Sequence, residues 1–134
     1  MEEKVRTYRE TSELTAQTPG MHRRVAIAPG EISRGLWFGT VICPPGLNSG
    51  PHHHGEAETT GFCLRGPGVR IYFGDNYEEF VDYHEGDFLY VPPWIPHIEV
   101  NLSDTEPSEF VFARQPDNIV VNLPDDEIPD HLRR

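Results

Sequence analysis

Gly86-Asp87-Phe88-Leu89-Tyr90-Val91-Pro92-Pro93-Trp94-Ile95-Pro96-His97-Ile98-Glu99-Val100-Asn101 is the stretch on which the fold turns. Gly86-Asp87 starts a strand, and Phe88 to Val91 carries it with apolar, strand-prone side chains. Pro92-Pro93 ends it, because proline has no N–H to give a ladder. His97 then opens a second strand, which continues as Ile98 to Leu102. The same grammar repeats outward in both directions. Arg23 to Ala28, Leu36 to Cys43, Thr59 to Arg65, Val69 to Phe73, Phe80 to His84, Glu109 to Ala113 and Ile119 to Leu123 are further strand-like runs. Gly66-Pro67-Gly68 marks a turn between two of them. The 13 prolines and 12 glycines are spread out, so no long helical pattern survives between them. Many short strands at close spacing predict an all-β sandwich or barrel.

A length of 134 residues suits one domain, and a second would be too small to hold its own core. The spacing divides the chain into an N-terminal arm over 1–20, a barrel over 21–123 and an acidic, proline-bearing tail over 124–134. Hydrophobic residues at 37% and charged residues at 25% place the chain among globular rather than disordered sequences. Asp plus Glu is 22 and Lys plus Arg is 11, giving a net charge of −11. Such a surface repels phosphate backbones and anionic membranes, so neither nucleic acid nor membrane is an expected partner. The pairs Arg23-Arg24 and Arg133-Arg134 read as solvated surface charges. Cys43 and Cys63 lie in apolar runs and read as buried small hydrophobes. MEEKVRTYRE begins acidic without an apolar stretch, so cytoplasmic residence is the expectation.

The chemistry concentrates in Gly50-Pro51-His52-His53-His54-Gly55-Glu56-Ala57-Glu58. On an extended segment His52 and His54 share a face and His53 takes the other. Two imidazoles on one face near a carboxylate are what a divalent metal needs. A polar loop with three solvated histidines is the competing reading. There is no GxSxG elbow, no P-loop and no dinucleotide-binding glycine fingerprint, so any chemistry rests on a metal.

Together, the two stretches resemble the cupin superfamily. Gly46, His52, His54, Glu58 and Gly66 match its first motif, and Gly86, Pro92, His97 and Asn101 its second. The resemblance implies a single-domain double-stranded β-helix, a jelly-roll barrel, with one metal near its open end. It implies His52, His54, Glu58 and His97 as ligands, leaving two positions of an octahedral shell open. Mn, Fe, Ni, Co, Cu and Zn all suit such a set.

Three departures stand out. Trp94 occupies the second motif's internal glycine position. The interval from Glu58 to Gly66 is one residue longer than the pattern, so counting back from Gly66 puts Thr59 at the acid position; a β-bulge would restore Glu58. Glu99 lies two residues after His97 and shares its strand face, as in the pirin branch, making it a rival ligand or a general base.

By resemblance, the expected function is metal-dependent chemistry on a small organic molecule, of dioxygenase, isomerase, decarboxylase or cyclase type. The alternative is a non-catalytic ligand-binding or sensing module, and a homodimer is the expected assembly. Phe62 and Tyr90 are candidate pocket walls. Arg114 could meet an anionic substrate, although a surface role is the simpler reading. His22, His84 and His131 lie outside both motifs and read as bystanders.

Overall fold

A computed structural model of the chain describes residues 4–13 and 17–134. Among the described residues, eleven strands follow in order. They are β1 (Ser12–Glu13), β2 (His22–Ile27), β3 (Trp37–Cys43), β4 (His52–His53), β5 (Glu58–Arg65), β6 (Val69–Phe73), β7 (Glu79–Tyr83), β8 (Phe88–Val91), β9 (His97–Val100), β10 (Ser108–Gln115) and β11 (Val121–Asn122). They form two antiparallel sheets, ordered β1-β2-β3-β10-β5-β8 and β11-β4-β9-β6-β7. This is the all-β jelly-roll barrel that the strand spacing and the two motifs predict. Among the described residues, no helix is long and apolar enough to cross a membrane.

Side-chain alternation builds the interior. On β3, Trp37, Val41 and Cys43 point inward, and on β10, Phe110 and Phe112 do. Trp37 packs on Phe112 with ring centroids 4.8 Å apart, and Tyr83 packs on Phe110 at the same distance. Cys63 completes this core with Cys43, and both thiols are free and buried. Gly68 closes the turn before β6 at φ 87°, where an added Cβ would lie 2.1 Å from the Tyr83 carbonyl oxygen. No side chain fits there.

A second cluster lies on the outer face of the β4-β9-β6 sheet. Ile98 is fully buried beneath Ile128 and Leu132. Segment 124–134, expected as a tail, is therefore packed on the barrel, with Arg134 Nη1 donating to the Ser49 carbonyl at 3.2 Å. In the N-terminal arm, Ser12 and Glu13 pair with β2.

Asn101 pins the corner after β9. Its Nδ2 donates to the carbonyls of Cys43, Pro44 and Glu106 at 3.3, 3.1 and 3.0 Å, and its Oδ1 accepts from the Ser103 N–H. This gives the second motif's asparagine a structural task, because it satisfies groups that would otherwise be buried and unpaired.

Candidate metal centre

Short strand β4 sits between β11 and β9, and its register sets His52 directly opposite His97. Their rings lie 4.3 Å apart. His54 follows β4 and brings its ring to 5.2 Å from His52 and 5.0 Å from His97. Gly50 makes the bend into β4 at φ 69°, where a Cβ would strike the Arg134 guanidinium. His53 faces the other way, accepting the Gly55 N–H at Nδ1 and lying against Trp94.

Each inward histidine is held the same way. Nδ1 of His52 meets the Gly50 carbonyl at 3.0 Å, that of His54 meets Ile119 at 2.8 Å, and that of His97 meets Ile95 at 2.9 Å. A carbonyl only accepts, so each Nδ1 carries the proton and each Nε2 presents a lone pair. The donor nitrogens lie within 4.8 Å of one another, all buried, and could hold a metal ion. Nε2 of His52 and of His97 has no hydrogen-bond partner. Burial, and then the charge of His97, lower the pKa of His52 to about 3. Burial and the nearby Arg114 push His54 down as well. Both rings are neutral at pH 7, as ligation requires.

Glu99 supplies the carboxylate beside them. Its Oε1 lies 3.9 Å from His52 Nε2 and 3.7 Å from His97 Nε2. Burial alone would raise the carboxyl, but the neighbouring His97 and His52 imidazoles and the charge of Arg23 outweigh it and bring the pKa to about 2. Glu58 lies elsewhere. It stands on the outer face of β5, partly exposed, accepting from Tyr90 Oη at 2.6 Å and Gln115 Nε2 at 3.0 Å. Thr59 takes the inward position instead, in agreement with the count back from Gly66.

Two arginines correct the sequence reading. Arg114, read as a surface residue, is only 5% exposed because it continues the inward row of Phe110 and Phe112. Its Nε donates to Thr59 Oγ1 at 2.9 Å, Nη1 to Asn118 Oδ1, and Nη2 approaches His54 Nε2 at 3.2 Å. Arg23, read as solvated, is 3% exposed and points inward from β2. Period-two alternation running back from Val25, and on from Phe112, was the signal that would have found both.

Trp94 adopts φ 66°, a left-handed conformation that favours the glycine it replaces. Its N–H is tied to the Gly55 carbonyl at 2.8 Å, and its ring is largely exposed. A cleft of about 550 Å3 opens between β7 and β8 and reaches His97, walled by Phe88, Tyr90 and Ile95 among others. Phe62 stays out of it and stacks on Phe88. His22, His84 and His131 stand apart from the histidine cluster.

A family model described as a cupin domain matches residues 39–114. The chain belongs to the cupin family. Among solved structures, this cupin is similar to the polyketide cyclase RemF from Streptomyces resistomycificus. That match has a TM-score of 0.71 at 19% identity and covers 95% of this chain and 90% of that one. It is also similar to an uncharacterized conserved protein with a double-stranded β-helix domain from Klebsiella pneumoniae subsp. pneumoniae. There the TM-score is 0.62 at 18% identity, covering 81% and 88% of the two chains. A B. subtilis oxalate decarboxylase gives a TM-score of 0.67 at 21% identity, covering 85% of this cupin but 30% of the decarboxylase. At these identities the likeness is one of fold. No functionally curated protein matches the cupin.

Proposed function

We propose that this cupin is a metal-dependent enzyme acting on a small organic molecule, with His52, His54, His97 and Glu99 as the metal ligands. One observation carries the reading. Three buried Nε2 lone pairs converge, each fixed by a carbonyl on its other nitrogen, and two of them have no partner. Such orphaned atoms are costly unless a cation fills the gap between them. When bound, a divalent ion supplies Lewis acidity and a template for an oxygen donor of the substrate.

The chain's own residues do the rest. The carbonyls of Gly50, Ile119 and Ile95 hold the three rings in one tautomer. Glu99, kept ionised, offers a lone pair to a cation more readily than it takes a proton at neutral pH, which favours the ligand role over the base role. The apolar walls of Phe88 and Ile95 exclude water around the organic part of a substrate. RemF, named as a cyclase, and the oxalate decarboxylase are precedents for catalysis on this fold.

The test is elemental analysis of the purified protein. It is followed by turnover assays of the metal-loaded form, with and without O2, against a panel of enolisable and carboxylated compounds. About one transition-metal ion per chain and metal-dependent turnover are expected. Absence of metal after reconstitution would overturn the reading. Metal with ligand binding but no turnover would make the protein a binding module.

A further inference from the structure

His52 and His97 account for two of the unpartnered buried polar atoms among the described residues. The others are Nε and Nη1 of Arg23 and Oη of Tyr83. A metal at the histidines leaves these three unexplained. Arg23 and Tyr83 both line one small recess of about 40 Å3 between the sheets, which also touches His54, Glu99, Arg114 and Thr59.

Arg23 enters this cavity from β2. One arm is occupied, since Nη2 donates to Thr18 Oγ1 at 3.1 Å and approaches Met21 Sδ at 3.7 Å. The remaining N–H groups have no acceptor. Packing alone does not call for a guanidinium here, because an apolar side chain of similar length would fill the space without the cost of a buried, underpaired charge. The acid that acts on both Arg23 and Arg114 is Glu99, and it lies against the histidines. Two guanidinium groups against one carboxylate leave the cavity with a positive excess. Tyr83, kept protonated by its burial, adds a neutral donor from β7.

The dimensions select the occupant. About 40 Å3 holds roughly three water-sized groups, the three heavy atoms of a carboxylate. The cavity shares Ile71, Tyr83, Leu89 and Val91 with the larger cleft, so a chain attached to that carboxylate has a path toward solvent past His97. Arginine is the side chain best suited to a buried carboxylate.

We propose that Arg23 and Tyr83 form a carboxylate-binding recess beside the histidine cluster, so that the substrate is a small organic acid seated with its carboxylate in the recess. This deepens the metal-enzyme reading and rests on it for the reaction, although the anion site itself does not require the metal.

Formate is the probe, with formamide as its uncharged counterpart and chloride as the ionic-strength control. Unfolding midpoints and titration calorimetry are run on the metal-loaded protein and on chelated protein. The recess predicts saturable protection by formate in both forms and none by formamide or chloride. Tyr83→Phe should weaken formate binding about tenfold, the loss of one hydrogen bond to a charged group. Arg23→Met should abolish formate protection while leaving the ligand-free protein as stable as the parent or more so. If Arg23→Met does not fold, the Tyr83→Phe comparison and the formate–formamide contrast still decide. Protection confined to the metal-loaded form would place the anion on the metal and overturn the recess. Equal protection by formamide, or unchanged formate binding in Tyr83→Phe, would mean that the cavity holds only water, and would also overturn it. A protein that binds formate yet never takes up metal would sink the enzyme reading and leave the recess standing.

Discussion

Acid should unfold the metal-free protein through its own histidines. His52 has an ordinary pKa of 6.5 in the unfolded chain and about 3 in the barrel, where burial and the charge of His97 resist the imidazolium. Between those values the unfolded state binds the proton and the native state refuses it. Stability therefore rises with pH across this window and is lost as pH falls through it. At pH 5 the loss from His52 is about 2 kcal/mol, and by pH 3 it is about 4 kcal/mol. His54, depressed by burial and by Arg114, adds a loss of the same sign. Against a total stability of about 5–15 kcal/mol this is a large share. The assay is urea unfolding of chelated protein at pH 7.5 and 5.0. That range stays above the window of Glu99, whose carboxyl drops from 4.5 to about 2 and so costs stability only in stronger acid. The comparison protein is His52→Asn, whose amide can still donate to the Gly50 carbonyl but does not titrate. Its stability difference between the two pH values should be smaller than the parent's by about 2 kcal/mol. Equal pH dependence in the two proteins would refute the burial argument for the histidine cluster.

Three further outcomes follow from the geometry. Glu99→Gln should lower metal affinity about tenfold or more, whereas Glu58→Gln, altered on the outer face of β5, should leave it unchanged; competition against a chelator reads both. His53→Ala should keep the parent's metal content by elemental analysis and lose about 1 kcal/mol from the missing Gly55 N–H bond. Asn101→Ala strands the carbonyls of Cys43, Pro44 and Glu106, and should cost about 3 kcal/mol in urea unfolding.

The strands were legible because proline and glycine punctuate them and because apolar side chains alternate between the turns. Val69–Phe73 and Phe88–Val91 match the sequence reading at both ends, since Gly68, Gly86 and Pro92 bound them. At the other extreme, Ile119 to Leu123 shrinks to Val121–Asn122, where pairing with two-residue β4 limits the ladder. The histidine cluster was legible from alternation plus the spacing of two motifs. The face taken by Glu58 was not, because a one-residue difference in counting moves a strand side chain to the opposite face, whereas alternation from His97 places Glu99 beside the histidines. The register Gln115↔Glu58 and Arg114↔Thr59 puts Thr59 inside and Glu58 outside. The buried arginines are not legible from residue type, because charged side chains are seldom fully buried; only the alternation of Ser108, Phe110, Phe112 and Arg114 along β10 marks the last of them as inward.

That row leads to a last consequence. The inner faces of the two sheets carry opposite chemistry: Arg23, Thr59 and Arg114 on one, His52, His97 and Glu99 on the other. An acid at position 59 would lie opposite Arg114 in the register and pair with it, cancelling the charge. With threonine there, Arg114 keeps its charge and directs Nη2 at the His54 lone pair from 3.2 Å. A cation and this guanidinium therefore compete for the same nitrogen. The ring of His54 does not depend on Arg114 for its orientation, because Nδ1 is fixed by the Ile119 carbonyl. Arg114→Met should then raise the affinity for divalent ions at least about tenfold. That gain corresponds to about 1.4 kcal/mol, modest for removing a unit charge at hydrogen-bond range. Chelator competition at pH 7.5 measures it. A fall in affinity would show instead that Arg114 orients His54, and that the two sheets cooperate in holding the ion rather than dividing cation from anion.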